Sequence, residues 1–274
     1  MSRLRPLLAG DACLHPASVH DPLTARVAAD LGYESAILGG SAASLAVLGA
    51  PDLILLTLTE LADLTRRITR AGAPPLLVDA DHGYGNALNV MRTMEELEAA
   101  GAGGATIEDT VLPRPFGETE ARLIPLPELV GKISAARSAA REITVVGRTA
   151  ALSVTGVPDA IARAQAMEHA GAEALFFTGL ADLDQLRAIE AATRLPLILG
   201  GTPKGLADAP TLARHRVRLA LQGHLPIMAA LEAVRATLAA QRAGLAPGGL
   251  PDPGFVRRMT REATQAQAVR DFLT

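Results

Sequence analysis

Several things are scarce in this chain of 274 residues. A single cysteine, Cys13, excludes an internal disulfide and any zinc site built from several thiolates. Tryptophan is absent and aromatics make up only 3 %, so the chain lacks the stacking platforms that hold single-stranded nucleic acids. Neither sign of charge dominates. A net charge of −3 gives no electrostatic case for nucleic acid or an anionic membrane. Long apolar runs are missing too. The longest uncharged stretch, 35–51, has 17 residues including Gly39, Gly40, Gly49, Ser41 and Ser44. That is short of the roughly 20 apolar residues of a membrane-spanning helix, and it reads as a strand entering a glycine-rich loop. Asp11 interrupts the apolar run behind Arg3 and Arg5 too early for a signal peptide. A reducing, cytoplasmic location is the expectation. Lysine occurs only at 132 and 204.

What is present is apolar residue, 49 % of the chain, enough for a large core. Short apolar runs alternate with helical periodicity. Strands are expected over 14–19, 35–40, 75–81, 105–109, 143–149, 174–178, 195–200 and 216–223. Helices are expected over 22–31, 58–71, 87–100, 127–140, 158–170, 182–192 and 225–243. Several of these helices stop at an Ala-Gly or Leu-Gly pair, as at Gly101, where glycine can take the left-handed cap. Strict alternation of strand and helix implies a parallel sheet, because each parallel strand needs a crossover. Eight such units favour a (β/α)₈ barrel over an open sheet. The barrel domain is placed at 1–245. A C-terminal helical extension follows at 246–274, with APGGLPDP (246–253) as hinge and 254–274 as one amphipathic helix.

In such a barrel, chemistry collects where strands end. Polar residues break the apolar pattern at those points: Gly39-Gly40-Ser41, Asp79-Ala80-Asp81-His82-Gly83, Glu108-Asp109, Gly147-Arg148-Thr149 and Gly223-His224. Asp79 and Asp81 lie two apart on a predicted strand, so their side chains share a side. Together with Asp52, Glu108 and Asp109 they form an acidic set that stays ionised cheaply only beside a cation or in water. Mg²⁺ suits such a set because it keeps several waters and uses one or two carboxylates directly; Mn²⁺ is the other candidate. For any single aspartate, capping the following helix is the competing role. Arg148 can hold a substrate carboxylate through two N–H groups, or pair with Glu108 or Asp109. His224 can orient substrate, handle a proton or cap a helix. His15 and His82 are weaker candidates. Ser41 behind two glycines offers a hydroxyl and backbone N–H groups to an anionic oxygen, or is a plain turn.

The segments ASVHDPLTARVAADLGYESAILGGSAASLAVLGAPD (17–52), DADHGYGN (79–86), ATIEDTVLPRPFG (105–117), GRT (147–149) and QGH (222–224) resemble the isocitrate lyase/phosphoenolpyruvate mutase superfamily, and within it the oxaloacetate decarboxylases. The likeness spans nearly the whole chain. It implies a (β/α)₈ barrel whose last helix is exchanged with a neighbour in a homotetramer, a dimer of dimers. It further implies that Asp79 ligates Mg²⁺ directly while Asp52, Asp81 and Glu108 hold its waters. Gly40, Ser41 and Arg148 would bind the substrate carboxylate, with His224 against the substrate. The expected reaction is decarboxylation of oxaloacetate to pyruvate and CO₂ through a metal-stabilised enolate. Cleavage or hydrolysis of a C–C bond in another 2-oxo or 2-hydroxy diacid is the alternative. The superfamily's lyases carry a Lys-Lys-Cys-Gly-His lid; here the corresponding loop reads TVLPRPFGETEARL, without Lys or Cys, which argues against isocitrate-type cleavage. Two departures stand out. Ala150 replaces the Asn or Asp common after Arg-Thr, and the seventh strand ends in Gly200-Gly201. Schiff-base chemistry would fall to Lys204, and a non-catalytic metabolite-binding barrel is the remaining class.

Overall fold

The computed structural model describes residues 4–206 and 208–273. Eight strands pair in parallel in the order of the sequence: β1 (Ala17–Ser18), β2 (Ala36–Leu38), β3 (Leu76–Asp79), β4 (Gly104–Glu108), β5 (Thr144–Thr149), β6 (Ala174–Phe177), β7 (Leu197–Leu199) and β8 (Val217–Ala220). The ring closes just ahead of β1. There the Leu14 N–H donates to the Arg218 carbonyl, and the Leu14 carbonyl accepts from the Ala220 N–H, each at 2.9 Å. The architecture is the expected (β/α)₈ barrel.

Helix α1 (Leu4–Ala9) precedes β1, and α2 (Pro22–Asp30) follows it. Next come α3 (Gly40–Leu48) and α4 (Leu58–Arg70) after β2, α5 (Ala87–Ala99) after β3 and α6 (Leu126–Ala139) after β4. Strand β5 leads to α7 (Ala151–Val154) and α8 (Val157–His169), β6 to α9 (Leu183–Ala192), β7 to α10 (Ala209–Arg214) and β8 to α11 (Leu225–Arg242). The chain continues through α12 (Pro253–Thr260) and α13 (Glu262–Phe272). Asp21, Thr57 and Asn86 start α2, α4 and α5 with reciprocal side-chain caps, each contributing about 1 kcal/mol.

Strand parity sorts the core into two layers. Residues pointing outward, such as Leu76, Val78, Ala105, Ile107 and Val145, pack under the helices. Those pointing inward form a second cluster of Ile37, Leu77, Val146, Phe176, Ile198 and Leu219, closed from below by Leu4 and Leu8 of α1. Each buried leucine contributes roughly 1.5–3 kcal/mol through loss of apolar surface from water.

Two expectations need correction. Residues 40–48 are the helix α3, not a glycine-rich loop. The stretch GSAASLAVL has no polar face, so it shows no helical periodicity, yet alanine and leucine favour helix once the strand end fixes its start. The tail 254–274 is not one helix. It breaks at Arg261, which adopts φ 56° between α12 and α13. The Arg261 guanidinium donates to the Ala71 carbonyl, and Arg26 donates to the Met259 carbonyl at 2.7 Å, so α12 is fastened to the barrel. Helix α11 behaves differently: none of its residues is buried.

Candidate active site

The inward parity that builds the apolar layer continues upward and changes character within two residues. On β3 the row runs Leu77 to Asp79, and on β5 Val146 to Arg148. On β4 it runs Thr106 to Glu108. Register then makes neighbours of them, since Asp79 lies opposite Thr106, and Arg148 lies between Glu108 and Phe176. Arg148 Nη1 donates to both Asp79 oxygens at 2.6 Å, and its Nε lies 2.9 Å from Glu108 Oε2. The Thr106 hydroxyl donates to Asp79 Oδ1 at 2.9 Å, while the Arg148 guanidinium sits 5.3 Å from the Phe176 ring centre. Of the two acids offered as ion-pair partners for Arg148, Glu108 takes that place and Asp109 does not.

Asp81 reaches the same place by a different route from the one expected. Strand β3 ends at Asp79, and Asp81 stands beyond it in the left-handed region with φ 47°. The turn, not strand alternation, brings its carboxylate back over β2. A Cβ placed on Gly40 would lie 2.8 Å from Asp81 Oδ1, so a larger residue there would have to push that carboxylate aside. Gly39 leaves room in the same way for the His224 ring, whose Cε1 would lie 2.3 Å from a Cβ there. The His224 Nδ1 shares a hydrogen bond with Ser18 Oγ at 2.8 Å, fixing the ring above the ends of β1 and β2. Ser41 is the second residue of α3, with no side-chain hydrogen bond among the described residues. The first-turn N–H groups of α3 face the mouth; that of Gly40 lies 3.5 Å from Asp79 Oδ2. Asp52, beyond α3, stands on the rim.

A cavity of about 280 Å³ joins Asp52, Asp81, Glu108 and Arg148 with Leu53, Ile54, Leu112 and Arg114. Arg114, Leu112, Thr106, Phe176 and Ser18 were not singled out from the sequence. Strand parity was the available signal for Thr106, two residues before Glu108. The others answer to register and loop packing, which leave no local pattern. Outward parity removes Asp109. It is fully buried under the helices, where Thr149 Oγ1 donates to it at 2.5 Å, the Ala150 N–H at 3.2 Å and Arg163 Nη1 at 3.3 Å. His15 is bound to the Ala220 carbonyl, and His82 is buried outside the cavity lining. Lys204 is exposed, and neither lysine lines the cavity.

The electrostatics are unbalanced. Burial opposes ionisation of Asp79, but the charge and hydrogen bonds of Arg148 hold its carboxyl below the usual carboxylate range. Arg148, despite burial, is raised by Asp79 and Glu108. Asp81 is pushed up to about 9 by burial and by the charges of Asp79, Glu108 and Asp52. Burial raises Glu108, and Asp52 is raised by desolvation and by Asp79. Desolvation lowers His224, favouring the neutral imidazole. Asp79, Asp81, Glu108 and Asp52 thus crowd around the Arg148 guanidinium, and the last three resist ionisation chiefly because burial strips them of water. Among the described residues no three His, Cys, Asp or Glu side chains converge as a direct metal cage. The donor set is all hard oxygen, suited to a cation that keeps most of its water.

A parallel eight-stranded barrel with an acid–guanidinium cluster at the C-terminal strand ends is the framework of a barrel enzyme. Comparison with known proteins narrows this. The family model described as phosphoenolpyruvate phosphomutase matches residues 4–242. An oxaloacetate decarboxylase from a Bradyrhizobium species is 54 % identical over 275 residues, covering 98 % of this chain and 96 % of that one. Among solved structures, oxaloacetate acetylhydrolase in complex with the inhibitor 3,3-difluorooxalacetate superposes with a TM-score of 0.86 at 27 % identity, covering 98 % and 96 % of the chains. Phosphonopyruvate hydrolase in complex with oxalate and Mg²⁺ gives 0.87 at 27 %, covering 99 % and 98 %. The chain belongs to the phosphoenolpyruvate phosphomutase family, within the superfamily its motifs resemble. It is a carbon–carbon lyase. Among the described residues no helix is long and apolar enough to cross a membrane.

Proposed function

We propose that the chain decarboxylates oxaloacetate to pyruvate and CO₂ with the help of a hydrated Mg²⁺ or Mn²⁺ ion. The observation that carries the proposal is the surplus of inward-facing carboxylate around Arg148, joined to 54 % identity with an oxaloacetate decarboxylase. Asp79 would be the direct ligand, with Asp52, Asp81 and Glu108 holding waters. Bound there, a divalent cation supplies positive charge beside the substrate oxygen that becomes negative as CO₂ departs. The chain's own groups do the rest. The first-turn N–H groups of α3, with Gly40 and Ser41, receive the substrate carboxylate. Arg148 uses Nη1 and Nε on Asp79 and Glu108, which leaves Nη2 to donate to the substrate. His224, its pKa lowered by burial and its ring held by Ser18 beside Gly39, orients the substrate. No covalent nucleophile is needed, and the cavity lining provides none.

The test is CO₂ release from oxaloacetate with Mg²⁺, repeated with EDTA and with Asp79→Ala. Activity above the metal-catalysed background should vanish in both controls; persistence in both would reject the proposal. The likeness to oxaloacetate acetylhydrolase favours C–C hydrolysis as the second reading. Oxalate rather than pyruvate as product would select it.

The same reading assigns residues 1–245 to the catalytic barrel and 246–274 to an extension, and makes the molecule a homotetramer through helix exchange. Support comes from α11. Its Leu225, Met228, Leu231, Val234 and Leu238 are all exposed, beside an apolar groove lined by Val27, Ala28 and Leu31. Sedimentation of the native protein and of Leu231→Glu tests it; a monomeric native protein refutes the assembly.

A further inference from the structure

The turn that delivers Asp81 is among the most constrained stretches of backbone in the molecule. Asp81, Gly83, Tyr84 and Gly85 have φ of 47°, 80°, 61° and 146°, so four residues of five lie where L side chains are disfavoured. Such a run persists only if its surroundings hold it. Four consecutive carbonyls are in fact held. That of Ala80 accepts from the Gly83 N–H at 2.9 Å, and that of Asp81 from the Glu108 N–H at 2.8 Å. The His82 carbonyl accepts from Lys132 Nζ at 3.0 Å, and the Gly83 carbonyl from Thr93 Oγ1 at 3.1 Å.

Lys132 is the unexpected member. It lies on α6, one of the helices outside the strand ring, yet its side chain is 4 % exposed. Its nearest carboxylate, Glu128, is 4.0 Å away and half exposed, so no close ion pair offsets the burial. A methionine would fill the same space without desolvating a charge. What the ammonium does and methionine cannot is reach across from α6 and fix the His82 carbonyl.

We propose that Lys132 is a positioning residue: by holding the His82 carbonyl it fixes the left-handed turn that aims the Asp81 carboxylate into the site. The claim rests on the reading of Asp81 as part of the shell around a hydrated cation. Its backbone consequence can be measured without that cation.

The experiment compares the full-length protein with Lys132→Met and Lys132→Arg. Mn²⁺ alone is titrated and followed by the electron paramagnetic resonance of the free ion, and amide exchange is measured on the metal-free proteins. In Lys132→Met, with circular dichroism unchanged, Mn²⁺ should bind at least tenfold more weakly. The Gly83 and Glu108 amides should exchange at least tenfold faster while those of α6 stay unchanged, and Lys132→Arg should recover most of both. Unchanged Mn²⁺ affinity with unchanged turn amides overturns the proposal. So does faster exchange spread equally through α6 with the affinity retained, which would mark a packing role. If the native protein binds no Mn²⁺, the metal reading fails, and the turn amides alone decide the role of Lys132. Should Lys132→Met not fold, Lys132→Gln, too short to reach the carbonyl, takes its place under the same criteria.

Discussion

The two ends of the barrel interior use the same strands and the same parity for opposite purposes. At the lower end Leu4 and Leu8 close a dry layer of Ile37, Leu77, Val146 and Leu219. One pleat higher, Asp79, Glu108 and Arg148 occupy the equivalent inward positions. The lower end lowers the free energy of the fold by removing apolar surface from water. The upper end crowds like charges and strained turns, which raises it. The lesson is that stability and chemistry are divided along the strand axis, so a substitution should affect one or the other according to its height.

The largest test of that division is Asp79→Ala. It should lower kcat/KM by on the order of 10³-fold while leaving the melting temperature within a few degrees, because it also relieves repulsion. Collapse of the fold in this variant would break the division. Arg163→Met sharpens it by working at the upper end but on the outward face. It strands the buried Asp109 carboxylate, and denaturant unfolding should show a loss of about 3–5 kcal/mol. Leu4→Ala is the lower-end counterpart. It should cost about 2–5 kcal/mol in the same assay with kcat changed less than twofold.

The last test is a pH dependence of the metal-free protein. Asp81 is raised from 3.8 to about 9 in the fold. Above the unfolded value the unfolded chain has released a proton that the folded chain keeps, so Asp81 makes stability fall as pH rises from about 4 to 9. Asp79, held down by Arg148, works oppositely, its contribution being lost as pH falls below about 4. Melting temperatures of native protein and Asp81→Asn across pH 5–9 isolate the first slope; a native protein that gains stability relative to Asp81→Asn as pH rises contradicts it.

Much of this was legible in advance for one reason: a strand buried on both faces announces itself as a short apolar run, and a polar residue at its end interrupts that run. Hence all eight strands and the carboxylates of Asp79, Asp81 and Glu108 were found. Helix α3 was not, because its small and apolar residues offer no contrast between faces. The route of Asp81 was misread, since a left-handed φ on aspartate looks like any strand residue in a string of letters. The role of Lys132 leaves no mark in the sequence, because its reach to His82 depends on how α6 lies against the β3 turn.

Composition and periodicity by themselves determined the alternation of elements, the parallel barrel and the acidic strand ends, because these follow from which side chains water rejects over short stretches. Only the folded arrangement decided who meets whom. It gave Arg148 to Asp79 and Glu108, turned Asp109 away to Arg163, set His224 over Gly39 and buried an ammonium against a backbone carbonyl. Those pairings join residues as much as 185 positions apart, from Gly39 to His224, and depend on register and packing of the closed ring.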